Sequence, residues 1–135
     1  MYGCKVTGLA GGPDKCKWLE QELGIKAIDY KADNFVAEVK KQGYFNVYFD
    51  NVGPPTLSLV LTRLAPHARL VICGAIAQYN SAKPLPLDGY LNIISQRAVV
   101  QGFIVFDYAE RYREAEEQKA KWIAEGNLKR KETVA

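Results

Sequence analysis

A chain of 135 residues, 48% hydrophobic and 24% charged, has the length and apolar content of one average domain with its own core. That composition excludes intrinsic disorder, collagen, coiled coil and a secreted disulfide scaffold, and no stretch approaches the ~20 apolar residues of a membrane span. Lys and Arg number 18 against 15 Asp and Glu, a net +3 scattered along the chain apart from Lys129-Arg130-Lys131, so no nucleic-acid partner is implied.

Short apolar runs alternate with longer amphipathic ones, the βα rhythm of a parallel sheet. The first strand is predicted over 4–10. Gly11-Gly12-Pro13 breaks it; Pro13 suits a first helical turn and Asp14 the positive end of that helix. Cys16, Leu19 and Leu23 share one helix face, with Gly24 as C-cap. A second strand is predicted over 26–30. Asp33 or Asn34 caps the next helix, which has a stripe of Phe35, Val36 and Val39 and ends at Gly43. The third strand covers 45–49 and closes on Asp50-Asn51-Val52-Gly53. Pro54 and Pro55 open a helix carrying Leu57, Val60, Leu61 and Leu64, and a fourth strand over 69–73 stops at Gly74.

The segment 75–88, with Pro84 and Pro86, is longer than most loops and is expected to serve function or to be covered by a partner. A short helix over 90–95 leads into a strand over 98–105. A charged, solvated helix follows over 109–125, with a sparse apolar face at Ala115, Trp122 and Ile123, and Gly126 stops it. Cys4, Cys16 and Cys73 form no paired spacing and read as reduced thiols of a cytoplasmic protein, Cys73 as a small buried hydrophobe. The single histidine, His67, reads as a loop residue, since with Cys73 it makes only half of a tetrahedral metal set. No metal is expected.

A dinucleotide-binding sheet opens with a G-x-G-x-x-G turn after a strand, and Gly8, Gly11 and Gly12 do not fit that spacing. Either the chain belongs to another α/β class or it starts one unit late. Five segments decide: Gly11-Gly12-Pro13-Asp14-Lys15-Cys16, Ala27-Ile28-Asp29-Tyr30-Lys31, Val47-Tyr48-Phe49-Asp50-Asn51-Val52-Gly53, Cys73-Gly74-Ala75-Ile76-Ala77-Gln78-Tyr79-Asn80 and Gly102-Phe103-Ile104-Val105-Phe106-Asp107-Tyr108. In order and over essentially the whole chain, they resemble the zinc-independent medium-chain dehydrogenase/reductases. The nearest branch is the NADP-dependent alkenal/one double-bond reductases, which includes prostaglandin reductases (leukotriene 12-hydroxydehydrogenases) and curcumin reductase. The resemblance implies an α/β fold, a Rossmann-like parallel sheet with helices on both faces, lacking the family's first strand and helix. Residues 1–135 then form a partial NADP-binding domain without the catalytic domain, as a gene fragment or a trimmed chain would.

The residues themselves favour NADP over NAD. No carboxylate follows the first strand until Asp14, and an adenosine 2′-phosphate would meet Gly12, helix N-terminal amides and Lys15; alternatively Lys15 is simply solvated. The resemblance implies that Lys15 and Tyr30 hold the 2′-phosphate and adenosine ribose. Asn51 stands at the carboxyl end of a strand, either as a ribose or diphosphate contact or as an Asx-turn before Gly53. Family relatives commonly carry a second glycine where this chain has Pro54, which removes one backbone donor.

By resemblance, the loop of Cys73, Gly74, Ala75, Ile76 and Tyr79 wraps the nicotinamide side of the cofactor. Tyr79 is the candidate catalytic residue, binding ribose and supporting substrate protonation; the alternative is an aromatic that packs the loop. Ala77 replaces the serine usual in relatives. Phe103, Ile104 and Val105, ending the last strand, would offer backbone groups to the nicotinamide carboxamide, and that strand's free edge would pair across a homodimer. The implied reaction is hydride transfer from NADPH to the C=C bond of an α,β-unsaturated ketone or aldehyde, with Lys15 and Tyr79 reaching opposite ends of the cofactor. Two alternatives are a non-catalytic nucleotide-binding or dimerisation module and a quinone reductase of the same superfamily. A methyltransferase-like domain would use the acidic strand end Phe49-Asp50-Asn51 but leaves the other four segments unexplained.

Overall fold

The fold is described from a computed structural model, over residues 3–132. The chain forms two compact units, one made of residues to Phe35 together with those from Val105 onward, the other of Val36–Ile104.

In the first unit, β1 (Thr7–Ala10) and β2 (Lys26–Asp29) pair in parallel, joined by α1 (Pro13–Leu23). β1 is shorter than the predicted 4–10 because its partner has only four residues, so the ladder starts at Thr7↔Lys26. Pro13 opens α1 as expected, after Gly12 at φ +97°. Gly24 closes it in the left-handed region, its N–H donating to Glu20 O at 3.2 Å. A Cβ on Gly8 would meet Leu19 Cδ1 at 3.2 Å, so the bare glycine lets α1 settle onto β1. Cys16 and Leu19 are half-buried, while Leu23 lies exposed at the end of that face; Ala27 and Ile28 of β2 are buried.

The C-terminal part of this unit begins as a 3-10 helix (Val105–Arg111), kinked at Tyr108, and continues as α6 (Tyr112–Ala124). α6 is solvated as predicted, with Trp122 half-buried. Its end is tied down by Lys129 on Glu22 at 3.0 Å and by Lys131 over the Trp18 ring at 5.7 Å.

The second unit holds a parallel sheet in the order β3 (Phe45–Asp50), β4 (Leu64–Ile72), β5 (Val99–Gly102). Its helices are α2 (Phe35–Lys41, starting at the unit boundary), α3 (Thr56–Leu61), α4 (Ile76–Tyr79) and α5 (Leu91–Ser95). Of the predicted α2 stripe, Val39 is buried, Phe35 half-buried and Val36 exposed. The core joins Leu57, Val60 and Leu61 of α3 to Leu64, Ala68 and Leu70 of β4, flanked by Phe45, Tyr48, Ile72, Ile93 and Ala98.

Three predicted boundaries are corrected. Leu64 does not lie on α3: the helix stops at Leu61, Leu64 pairs with Phe45, and Phe45 N–H donates to Arg63 O at 2.8 Å. Arg63 anchors that corner, its guanidinium on Gly43 O and over the Tyr44 ring at 4.4 Å. β4 therefore starts at residue 64 rather than 69, and His67 sits inside it and not in a loop. The irregularity that admits Pro66 shows as a register jump between Phe45↔Leu64 and Val47↔Arg69. His67 takes φ +61° there, its N–H donating to Gln96 O at 2.7 Å. Finally, β5 ends at Gly102, not 105; Phe103 and Ile104 lie beyond it and Val105 opens the 3-10 helix, with the Tyr112 hydroxyl donating to Val105 O at 3.2 Å.

Candidate functional site

The candidate residues fall into two clusters, one at the carboxyl ends of the strands of each unit, where open α/β sheets bind ligands.

In the first unit, the cluster is the β1–α1 turn. Gly11 has no Cβ, and one placed there would lie 2.6 Å from Tyr30 Oη and 3.0 Å from Lys31 Cε. Only glycine lets Tyr30 and Lys31 lie across the turn. Asp29, at the end of β2, accepts the Gly12 and Lys31 amides on Oδ1, both at 2.9 Å. The Gly12 amide, then that of Lys31, holds the Asp29 carboxyl below the usual carboxylate range. No atom lies within 4 Å of the position a Gly12 Cβ would take, so the N-terminus of α1 is open, with Lys15 exposed in its first turn. Burial pushes the Cys16 thiol up, with the Asp29 and Glu20 charges adding, so this cysteine is a packing group rather than a nucleophile.

In the second unit, two loops are joined. Asp50, fully buried, ends β3 and uses its carboxylate to close the turn that follows. Its Oδ1 accepts the Tyr48 hydroxyl at 3.1 Å, the Val52 amide at 2.9 Å and the Gly53 amide at 3.1 Å. Burial, and then the Asp50 charge, pushes the Tyr48 phenol far up, so it remains a proton donor in this pair. The backbone carbonyls of the turn receive the next loop: Cys73 and Gly74 N–H on Asp50 O at 2.8 and 3.1 Å, Ile76 N–H on Asn51 O at 3.1 Å, and Ala77 N–H on Val52 O at 3.1 Å.

Gly74 and Gly53 are where the loops touch. A Cβ on Gly74 would meet Tyr79 Oη at 3.1 Å and Asn51 O at 3.3 Å; one on Gly53, at φ +76°, would meet the Ala75 Cβ at 3.1 Å. The predicted long loop carries α4, whose Tyr79 hydroxyl oxygen accepts the Ala75 amide at 3.1 Å while the residue stays exposed. Gln78 then ties the rest of the loop down, accepting Leu85 N–H and donating to Lys83 O.

Asn51, Cys73, Gly74, Ala75, Ile76 and Tyr79 are thus brought together by β3, β4 and α4. Phe103 joins the same strand ends, its N–H on Ile72 O at 2.9 Å and its ring edge-on to Phe49 at 6.2 Å. Ile104 follows it, whereas Gly12, Lys15, Tyr30 and Val105 belong to the first unit. The sequence reading gives no fastening role to the two strand-final carboxylates, Asp29 and Asp50, or to the glycine at 11. An acidic residue two or three positions before the amides it binds was a usable signal for Asp50. For Asp29 the partner Gly12 lies in the turn after the neighbouring strand, seventeen residues away, and no local pattern announces it. Among the described residues no group of three or more His, Cys, Asp or Glu side chains is placed to hold a metal ion.

The chain is 31% identical over 144 residues to the NADPH-dependent curcumin reductase of Escherichia coli, covering 99% of this chain and 41% of that protein. It is 34% identical to prostaglandin reductase 1 of Bos taurus, covering 99% of this chain and 42% of that one. Among solved structures, CurA of Vibrio vulnificus in complex with NADPH superposes with a TM-score of 0.88 at 35% identity, over 98% of this chain and 42% of that one. The chain therefore spans about two-fifths of the length of these relatives, and its parallel strands and helices are those of their Rossmann-like nucleotide-binding domain. The model of the zinc-binding dehydrogenases matches residues 1–122, so the chain, with its strand-end turns closed by Asp29 and Asp50, belongs to the zinc-binding dehydrogenase family.

Proposed function

We propose that this chain is the NADP(H)-binding portion of an oxidoreductase that reduces the C=C bond of α,β-unsaturated ketones and aldehydes. The observation that carries the reading is the match over nearly the whole chain to a reductase holding NADPH, with the candidate residues gathered at strand carboxyl ends. The residues fit such a group. Gly12 leaves open space at the N-terminus of an eleven-residue helix, where amides and the Lys15 ammonium favour a phosphate, and Tyr30 lies over Gly11 to meet the adenosine ribose. Asn51, both donor and acceptor, and the backbone of Cys73–Ile76 serve the nicotinamide-side ribose and diphosphate, and Phe103, Ile104 and Val105 the carboxamide.

Bound NADPH supplies the hydride that reaches the β-carbon of the enone. This chain's part is to orient and to protonate. The Tyr79 oxygen accepts the Ala75 amide, which leaves its own O–H to serve as the donor for the α-carbon or, through water, for the developing enolate. The protein's share is to set geometry and charge around the reacting atoms.

The finer partners follow from the same reading. β5 is an edge strand with all four residues exposed, the edge through which a second copy would extend the sheet. Cys16 and Cys73, outside any disulfide, fit a reducing cytoplasm, and zinc plays no part in the chemistry. A non-catalytic nucleotide-binding module is the second reading for the chain by itself, favoured by its strands forming two separate sheets.

Two measurements decide. Full-length parent enzyme incubated with an enone and NADPH should consume NADPH absorbance; no turnover on any enone rejects the activity, and turnover on quinones alone reassigns it. Calorimetry of this chain with NADP separates a competent cofactor lobe, which binds, from a residual module, which does not.

A further inference from the structure

We propose that Asp50 is a positioning residue, its buried carboxylate and the Tyr48 hydroxyl together fixing where Asn51 and Tyr79 stand. The proposal rests on the reading that these two residues face the cofactor. A carboxylate with no solvent exposure is unfavourable unless bonded, and this one is bonded entirely within its own strand end. Oδ1 takes three donors and Oδ2 a further contact from the Gly53 amide at 3.2 Å. Charge-assisted bonds of this kind hold short turns more firmly than neutral ones.

The turn then passes its position on. The main-chain carbonyls of Asp50, Asn51 and Val52 all receive amides from residues 73–77, and the Ala75 amide in turn donates to the Tyr79 oxygen. Gly74 lies between Asn51 O and Tyr79 Oη, where a Cβ would press on both, at 3.3 and 3.1 Å. Tyr79, 68% exposed, has few packing neighbours to hold it, so its hydroxyl is located by this relay, and Asp50 starts it.

Asp50→Asn preserves shape and replaces one acceptor oxygen with an NH2 group against the Gly53 amide. Amide hydrogen exchange at Ala75, Ile76 and Ala77 should accelerate by about tenfold while Leu70 and Ile72 in β4 keep their protection. The dissociation constant for NADPH should rise by a similar factor. Tyr48→Phe removes a single hydroxyl, should give about threefold at the same amides, and keeps the test decisive if Asp50→Asn does not fold. Unchanged exchange at 75–77 in the folded variants overturns the proposal, as does an equal acceleration at Leu70 and Ile72, which would mark a merely structural residue. Failure of the wild-type chain to bind NADPH rejects the cofactor reading instead, and the exchange measurement, which needs no ligand, still decides the role of Asp50.

Discussion

Gly11→Ala separates a binding effect from a stability effect. The new Cβ would lie 2.6 Å from Tyr30 Oη, 2.7 Å from Tyr30 Cζ and 3.0 Å from Lys31 Cε, against an ordinary contact of 3.4–4 Å. The phenol must therefore retreat by about 1 Å. Both neighbours are far ends of flexible side chains and Tyr30 is 46% exposed, so the ring has water to swing into. The cost is an altered rotamer, about 0.5–1.5 kcal/mol, partly offset by the ~0.4–1 kcal/mol that a Gly→Ala change removes from unfolded-chain entropy. Net stability by urea denaturation should move by less than ~1 kcal/mol. If Tyr30 meets the adenosine ribose as proposed, cofactor binding should suffer more: a lost hydrogen bond of about 1 kcal/mol is roughly fivefold in the NADPH dissociation constant by fluorescence titration. A stability loss above ~2 kcal/mol would show that the ring cannot yield. Undiminished NADPH affinity would refute the role of Tyr30.

Gly53→Ala should behave in the opposite way: φ +76° strains any side chain by about 1–2 kcal/mol, and the Ala75 Cβ at 3.1 Å adds overpacking, so thermal unfolding should shift clearly downward. Leu61→Ala empties the centre of the core, where the side chain is 1% exposed, and should lower the urea-unfolding free energy by about 2–5 kcal/mol. Asp29 adds an acid-sensitive contribution. Its pKa is lower folded than unfolded, so the stability it lends is present above its ordinary value of 3.8 and disappears as pH falls through the folded value. Asp29→Asn should flatten that limb of a pH–Tm profile, and an unchanged limb would contradict the amide contacts of Gly12 and Lys31.

What the sequence revealed follows the range of the forces involved. α1 was legible because Pro13, Asp14 and Gly24 act on their own backbone within one turn, and the cores of the five parallel strands because runs such as Val47-Tyr48-Phe49 mark strands locally. The start of β4 was not legible. Pro66 and His67 argue against a strand, and only the pairing of Leu64 with Phe45, together with the His67 amide on Gln96 O, keeps that stretch extended. The end of β5 was overcalled for a related reason: Phe103-Ile104-Val105 is as apolar as any strand, but β4 offers partners only as far as Ile72, against Gly102. For the candidate site, the residues were visible as types and spacings. Their fastening was not, since Asp29 reaches Gly12 across a strand pair and residues 50–52 reach 73–77 across another.

That fastening bears on which nicotinamide cofactor the first unit accepts. A reader of NAD needs a carboxylate at the strand end with lone pairs available to the ribose diol. Asp29 is the carboxylate in contact with the β1–α1 turn, but its Oδ1 already takes the Gly12 and Lys31 amides at 2.9 Å. Turning it toward a ribose would release the turn that shapes the mouth of α1. The same two bonds hold the backbone of Lys31, whose stem lies over Gly11, to the carboxylate that also holds Gly12 at the start of α1. The carboxylate thus holds the turn that is proposed to receive the phosphate, instead of competing for the sugar. Removing it through Asp29→Ala, which takes away the acceptor of both amides, should narrow the preference for NADPH over NADH in paired titrations. A ratio unchanged by that substitution, in a chain that still folds, would remove Asp29 from the account of cofactor choice.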